Sequence, residues 1–134
     1  QPGRGPVRVS RALLDTSVVI ALAKGEAIPL PDEVAISVVT LCGLHHAVLV
    51  ADDDTRPGRL ATLVEVERTM TAIPLDARVA PHYGTLVTDV KRRTGRKLRT
   101  ADALIAATAV SHGLPLLTRD RDFDGLDLAW VQLV

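Results

Sequence analysis

Short apolar runs alternate with helix-forming segments along this chain, and that alternation limits the possible folds more than any other feature. Residues 7–14 and 34–39 predict buried strands, each followed at once by a helix-forming segment. Two later strands are predicted at 114–118 and 128–133. This rhythm is typical of a parallel sheet covered by helices. We therefore expect a single domain over residues 7–134, a three-layer α/β/α fold with a central, largely parallel sheet.

Helix boundaries are predicted from capping residues, apolar spacing and glycine stops. Ser17, Thr40 and Thr100 are the expected caps of the first, second and last helices. The predicted helices cover residues 18–24, 41–51, 59–71, 77–94 and 101–112. Residues 73–75 are expected to form only an extended link.

Charge and composition limit how the chain could bind a nucleic acid or a membrane. The 16 basic and 16 acidic residues cancel, so global charge does not indicate a nucleic-acid or membrane partner. Aromatic residues make up 2% of the chain, so the core must be aliphatic and base stacking cannot dominate any RNA recognition. Any site for a polyanion must therefore be local.

The single cysteine, Cys42, excludes an internal disulfide and a cysteine-rich zinc site. We expect it to be buried near a helix start and to have no catalytic role. No apolar run is long enough to cross a bilayer, so a cytoplasmic protein without a membrane association is expected. Residues 1–6 resemble a tag remnant or a disordered leader and are left out of the predicted domain.

Three aspartates occupy the same kind of position in the predicted fold. Asp15 ends the first strand, Asp102 lies in the first turn of the last helix, and Asp120 follows the strand at 114–118. In parallel α/β sheets such positions share one edge, where ligands bind. Carboxylates gathered there favour a hard cation such as Mg²⁺ or Mn²⁺. Taken singly, each aspartate also has a purely structural explanation as a helix cap or turn residue.

Three strings carry a family resemblance. They are Leu14-Asp15-Thr16-Ser17, the run Thr-Ala-Asp-Ala-Leu-Ile-Ala-Ala-Thr-Ala that begins at Thr100, and Thr118-Arg119-Asp120-Arg121-Asp122-Phe123. In this order and spacing they resemble the signatures of PIN-domain ribonucleases, in particular VapC-type toxins of bacterial VapBC toxin-antitoxin systems. The resemblance spans residues 12–134.

The resemblance implies a metal-dependent ribonuclease site. By this resemblance Asp15, Asp102 and Asp120 are the catalytic acids and hold Mg²⁺ or Mn²⁺. Asp122 is a further metal-site acid, directly or through water. The supporting hydroxyl residues are Thr16 and Thr118.

The resemblance also implies a reaction and partners. RNA, of the tRNA or ribosomal RNA class, would be cut to leave a 5′-phosphate and a 3′-hydroxyl, which inhibits translation. A small VapB-type antitoxin would cover the active groove, and the toxin would form a homodimer.

One position departs from the family pattern. The family expects Thr-Leu-x-Glu-Leu-His-His at the second helix, and Gly43 stands where this chain should have that Glu. If Thr40 caps the helix, position 43 is also where a capping box favours Glu or Gln. Gly43 is either an alteration that suppresses toxicity or a natural impairment. A catalytically impaired PIN domain that binds antitoxin or RNA therefore remains the alternative function.

A concentrated positive segment precedes Asp102. It comprises Lys91, Arg92, Arg93, Arg96, Lys97 and Arg99, and we call residues 91–99 the basic segment. It is either a solvated face or a binding site for the RNA backbone. The predicted RNA-binding residues are Arg92, Arg93, Arg96 and Arg119.

Other enzyme classes fit the sequence less well. A haloacid-dehalogenase-like phosphatase needs a second aspartate two residues after Asp15, where this chain has Ser17. A phospho-acceptor receiver domain needs a lysine after a late strand, and none is found there. His45 and His46 are adjacent on a predicted helix, so both cannot easily face one ion.

Overall fold

Five strands and five α-helices make up the part of the chain that the computed structural model describes, residues 10–123 and 128–134. The strands are β1 (Arg11–Leu14), β2 (Glu33–Ser37), β3 (Thr71–Ile73), β4 (Leu116–Thr118) and β5 (Val131–Leu133). The helices are α1 (Thr16–Ala23), α2 (Val38–Val50), α3 (Arg56–Thr69), α4 (Val79–Thr94) and α5 (Thr100–Ser111), with a 3₁₀ helix at Arg121–Phe123. The predicted leader and residues 7–9 of the first predicted strand lie outside the described residues.

The strands form one sheet in the order β3-β2-β1-β4-β5, and each neighbouring pair is parallel. β1 lies at the centre: Leu13 is in register with Ala35 of β2 on one side and with Leu116 of β4 on the other. The chain winds outward from β1 to β2 and β3, then returns to β4. This reversal creates a switch point between β1 and β4, the place where open α/β sheets bind ligands.

Alternating side chains of the central strands enter two separate cores. Leu13 and Leu116 pack in a cluster with residues of α4 and α5, whereas Leu14 and Leu117 pack in a cluster with α1, α2 and α3. All four leucines are at most 4% exposed. Because a strand points successive side chains to opposite faces, both faces of the sheet need a helical cover. The predicted three-layer α/β/α fold is therefore confirmed.

All five helices start at other residues than predicted: α3 begins at Arg56 where 59 was predicted, α4 begins at Val79 where 77 was predicted, and the other three differ at their caps. α2 begins after Ser37, whose Oγ accepts a hydrogen bond from the Val39 N–H at 3.0 Å. Thr40 was the predicted cap but lies buried in the first turn. The strand runs into the helix without a loop, so the last residue of β2 serves as the cap. α1 likewise begins at Thr16, directly after Asp15, and α5 begins at Thr100 itself.

An edge strand, β3, stands where the end of the third helix was predicted at 71 and where the extended link predicted at 73–75 begins. Residues Thr71–Ile73 pair with β2, with Ala35 opposite Thr71 and Ser37 opposite Ile73. Three residues are too few to show a strand period, and only pairing with β2 reveals the strand. The predicted glycine stop after α4 is confirmed: Gly95 has φ +72° and its N–H bonds to the Lys91 carbonyl at 2.8 Å.

Among the helices of residues 10–123 and 128–134, none combines the length and the apolar character that crossing a membrane requires.

Candidate active site

The predicted acids lie at the switch point between β1 and β4. Asp15 immediately follows β1, Asp120 lies two residues after β4, and Asp102 is in the first turn of α5. All three line one cleft of about 400 Å³, which Gly43 of α2 and Arg99 also border. The structure thus brings together side chains that are more than a hundred positions apart in the sequence.

Hydroxyl groups hold the buried carboxylate of Asp15, which is 2% exposed. Its Oδ2 accepts hydrogen bonds from Thr118 Oγ1 at 2.7 Å and from Ser17 Oγ at 2.8 Å. Thr118 Oγ1 also accepts a bond from the Asp120 N–H at 2.9 Å, and Ser17 Oγ accepts one from the Arg119 N–H at 3.0 Å. These bonds tie the start of α1 to the loop after β4 and set the separation of Asp15 and Asp120.

Three further acids lie close together in the part of the chain that follows the basic segment. One carboxylate oxygen from each of Asp102, Asp120 and Asp122 lies within 4.8 Å of the others. The loop helps to place them, since Asp120 Oδ1 accepts the Asp122 N–H at 2.8 Å. Asp15 is not part of that tight group but lines the same cleft. Oxygen donors at this separation match the needs of a hard divalent cation.

The pKa of Asp102 reflects its burial and the repulsion between the carboxylates of the site. Burial raises the pKa of Asp102 above its ordinary value, and the negative charge of Asp15 raises it further. The Arg99 guanidinium opposes this rise, and Asp120 adds to it. The carboxylates therefore repel one another, and a bound cation would relieve that repulsion.

Gly43 borders the cleft from α2, at the position where the family resemblance expects Glu. A Cβ atom added to Gly43 would meet nothing within 4 Å, so a side chain can begin there without a clash. Because Ser37 caps the helix, Gly43 lies inside α2 and not at the third helical position. The capping-box explanation for a Glu at 43 is therefore wrong, whereas the place of Gly43 beside the acids supports the metal-site explanation.

Thr16 and Thr40 link α1 to α2 next to this position. Their Oγ1 atoms lie 2.9 Å apart, within hydrogen-bond distance. Thr16 also lines the cleft. This hydrogen bond joins the helix that follows Asp15 to the helix that carries Gly43, and support of a metal site by Thr16 stays a prediction.

The predicted RNA-binding arginines do not form one cluster, and none of the four is among the residues that line the acidic cleft. Arg92 and Arg93 are exposed in the last turn of α4. Arg96 Nη2 donates to the main-chain oxygen of Asp122 at 3.0 Å, which ties the basic segment to the acidic loop. Arg119 pairs instead with Glu26 at 3.0 Å. RNA binding by these residues stays a prediction.

Sequence reasoning missed the roles of Ser17 and Arg99. Ser17 was predicted as a helix cap, but its hydroxyl donates to Asp15. Arg99 was counted only with the basic segment, but it pairs with two of the acids. The signal for Arg99 was its place three residues before Asp102, a spacing that brings helical side chains together.

The exposure of Cys42 differs from the sequence-based prediction, and His45 has an ion-pair partner that the sequence did not indicate. Cys42 was expected to be buried but is exposed, because the face of α2 that packs inward carries Thr40 and Leu44. His45 Nε2 lies 3.5 Å from Glu67, outside the acidic cleft.

Comparison with known families agrees with this fold and site. The sequence model of the PIN domain family matches residues 12–128 of this chain. With its parallel sheet and its carboxylates at the switch point, the chain belongs to the PIN-domain family.

Its relatives within the family are VapC proteins. The chain is 42% identical over 119 residues to Ribonuclease VapC5 of Mycobacterium tuberculosis, covering 86% of this chain and 87% of that protein. It is 41% identical over 103 residues to Ribonuclease VapC8 of the same species, covering 75% of this chain and 92% of the relative.

Solved structures show the same similarity. The VapBC-5 toxin-antitoxin structure from Mycobacterium tuberculosis matches with a TM-score of 0.76 at 40% identity, covering 93% of this chain and 98% of that chain. A chain of VapBC2 from Rickettsia felis, solved with a promoter DNA fragment, matches with a TM-score of 0.75 at 19% identity, covering 92% and 98%. The latter supports the fold alone.

Proposed function

We propose that this protein is a divalent-metal-dependent ribonuclease toxin of the VapC type, which hydrolyses RNA phosphodiester bonds in the cytoplasm and so inhibits translation. The observation that carries the proposal is the acidic cleft at the switch point, in which hydroxyl groups tie buried Asp15 to the loop that bears Asp120. Such hydrogen bonds keep Asp15 in one orientation. The relatives named ribonucleases supply the reaction class.

The ion-binding groups would be Asp15, Asp102, Asp120 and Asp122. Their donors are all carboxylate oxygens, which suits Mg²⁺ or Mn²⁺ and disfavours softer metals. When bound, the ion would neutralise charge on the scissile phosphate and support in-line attack by water. The protein's own contribution is placement, because Thr118 and Ser17 fix Asp15, while the Asp122 N–H fixes Asp120.

RNA would approach over the basic segment. Arg92 and Arg93 extend from the end of α4, and Arg96 holds the main chain of Asp122 beside the acids. Contacts between arginines and phosphates give affinity without reading sequence. Recognition through phosphates suits a chain with 2% aromatic residues, and we take RNA of the tRNA or ribosomal RNA class as the substrate from the family resemblance.

A VapB-type antitoxin and a second toxin copy are the proposed protein partners. The matching 40% identical structure is of a VapBC complex. Exposed apolar side chains at the end of α2 and on α3 support a protein partner: Leu49 is 78% exposed, Val50 62%, Leu60 47% and Val64 54%.

Calorimetric titration with Mn²⁺ tests the proposed site. We expect the wild type to bind Mn²⁺ and an Asp15→Asn, Asp102→Asn double variant to lose that binding. Cleavage of total tRNA and ribosomal RNA should require Mn²⁺ or Mg²⁺ and should stop in the double variant. Equal Mn²⁺ affinity in both proteins would show that these acids are not the metal site.

A catalytically impaired PIN domain is the second candidate, and Gly43 favours it. Without a carboxylate at 43, the cleft has one fewer negative ligand than the family pattern provides. Such a protein would still bind antitoxin or RNA but would cut slowly or not at all. Restoring Glu at this position separates the two candidates.

A further inference from the structure

Arg99 reaches across two carboxylates of the acidic cleft. It is the residue directly before α5, three positions ahead of Asp102. Its Nε donates to Asp102 Oδ2 at 3.2 Å, and its Nη2 lies 4.0 Å from Asp120 Oδ2. One guanidinium therefore neutralises part of the charge on two acids that otherwise repel each other.

Neighbouring arginines make different contacts. Arg96 donates to a main-chain oxygen of the acidic loop, and Arg119 pairs with Glu26. Arg99, in contrast, binds carboxylates that belong to the proposed metal site. Asp102 and Asp120, the two acids it contacts, each also contribute an oxygen to the group of three carboxylates that lie within 4.8 Å of one another.

The contacts of Arg99 are easily reversed. Its side chain is 76% exposed, whereas those of Asp102 and Asp120 are 16% and 19% exposed. An ion pair with one solvated partner is weak, and a long exposed side chain can leave at little cost. A guanidinium and a divalent cation bound to the same two carboxylates would repel each other strongly. The two cations therefore exclude each other.

We propose that Arg99 is a built-in counter-ion of the acidic cleft, which occupies Asp102 and Asp120 in the metal-free protein and must swing away before a divalent cation binds. The inference rests on the proposed metal site. It makes metal affinity depend on a residue that does not ligate the ion. A side chain that competes with the cation raises the concentration of cation needed to load the cleft.

Titration of RNA-free protein with Mn²⁺ tests this competition. We expect Arg99→Gln to bind Mn²⁺ with a Kd at least threefold lower than the wild type, since each exposed ion pair that must break corresponds to a factor of up to about five. Arg99→Lys keeps the charge but loses the two-pronged geometry, so its Kd should lie between the two. Lys97→Gln is the matched control, because it removes the same charge from the same loop, and its Kd should stay within twofold of the wild type.

Thermal unfolding gives a second measurement that needs no activity. The rise in Tm on adding saturating Mn²⁺ should be larger for Arg99→Gln than for Lys97→Gln or the wild type, since tighter ligand binding stabilises more. If Arg99→Gln binds Mn²⁺ no more tightly than Lys97→Gln, or more weakly, Arg99 is not a competitor, and the metal site itself stands. If the Asp15→Asn, Asp102→Asn double variant binds Mn²⁺ as well as the wild type, the metal site is wrong and the inference falls with it.

Discussion

Replacement of Gly43 by Glu is the perturbation that best tests whether this chain is an active or an impaired nuclease. Gly43 borders the cleft that contains Asp15, Asp102 and Asp120. A Cβ atom there has nothing within 4 Å and the backbone does not have a positive φ. A side chain can therefore begin at position 43 of α2 without a clash at its Cβ, so the experiment tests mainly the chemistry of the added group.

The substitution changes both helix propensity and charge, and comparing Glu with Gln at position 43 separates the two effects on stability. Gly inside a helix costs about 0.5–1 kcal/mol relative to a good helix former, so both Gly43→Glu and Gly43→Gln should gain up to about that much stability. Only Glu adds a negative ligand. In the metal-free protein its charge adds to the repulsion already seen at Asp102, so Glu should gain less stability than Gln, and saturating Mn²⁺ should reverse that order.

The expected effect on catalysis is larger. Poor placement of a reacting group by about 1 Å can cost on the order of a hundredfold in rate. We expect Gly43→Glu to raise Mn²⁺-dependent RNA cleavage at least ~10-fold, equivalent to ~1.4 kcal/mol of activation free energy. Expression of the Glu form without antitoxin should also be more toxic.

Single-turnover cleavage of total tRNA and ribosomal RNA is the assay. Gly43→Gln is the matched control, since it has nearly the same size and helix propensity but no charge. A Gly43→Glu, Asp102→Asn double variant controls for contaminating nuclease. If the Glu form stays folded and binds Mn²⁺ yet cuts no faster than the Gln form, a carboxylate at position 43 does not contribute to catalysis and the proposed reason for impairment is wrong.

Three further predictions follow from the site and its surroundings. Thr118→Val should lower the free energy of unfolding in urea by about 1–3 kcal/mol, because it removes a buried hydroxyl that donates to one carboxylate and accepts from the next loop; a loss below about 0.5 kcal/mol would contradict that linking role. Replacing Arg92, Arg93 and Arg96 by Gln should weaken RNA binding across sequences and reduce the slope of log K against log salt by roughly 2, and an unchanged slope would mean that the basic segment is only solvated. Because the folded pKa of Asp102 is raised, the folded protein holds this proton more tightly than the unfolded chain does. Its contribution to stability therefore falls as pH rises from about 3.9 through the folded pKa. Metal-free Asp102→Asn should lack that fall, and parallel urea titrations of both proteins across pH would detect it.

Much of the site could be predicted because its parts are local. Asp15 ends an apolar run, Asp102 lies in the first turn of a strongly apolar helix, and Asp120 follows a short apolar strand. These positions depend on the period of a few neighbouring residues, which the sequence displays directly. The parallel sheet follows from the same local patterns, because strands separated by helices pair in parallel.

Other parts could not be read locally. Thr40 and Ser37 are both acceptable helix caps by residue type, and only the end of β2 decides that Ser37 is used. The strand at Thr71–Ile73 is too short to show a period and exists because β2 offers it a hydrogen-bonding edge. Cys42 is exposed because α2 packs inward through the face that carries Thr40 and Leu44, and only the packing of α2 decides which face that is.

The sequence by itself therefore determined four of the five strands, the presence of the five helices, the parallel sheet and the positions of the acids, since each follows from short-range periodicity and from where the elements end. Only the tertiary structure decided that Ser17 and Thr118 share one oxygen of Asp15 and that Arg99 spans Asp102 and Asp120. Ser17 and Thr118 are 101 residues apart, and no local preference of either residue indicates the other. Such contacts arise when β1 and β4 pair side by side, because that pairing brings their carboxyl ends, and the side chains that follow them, to one point.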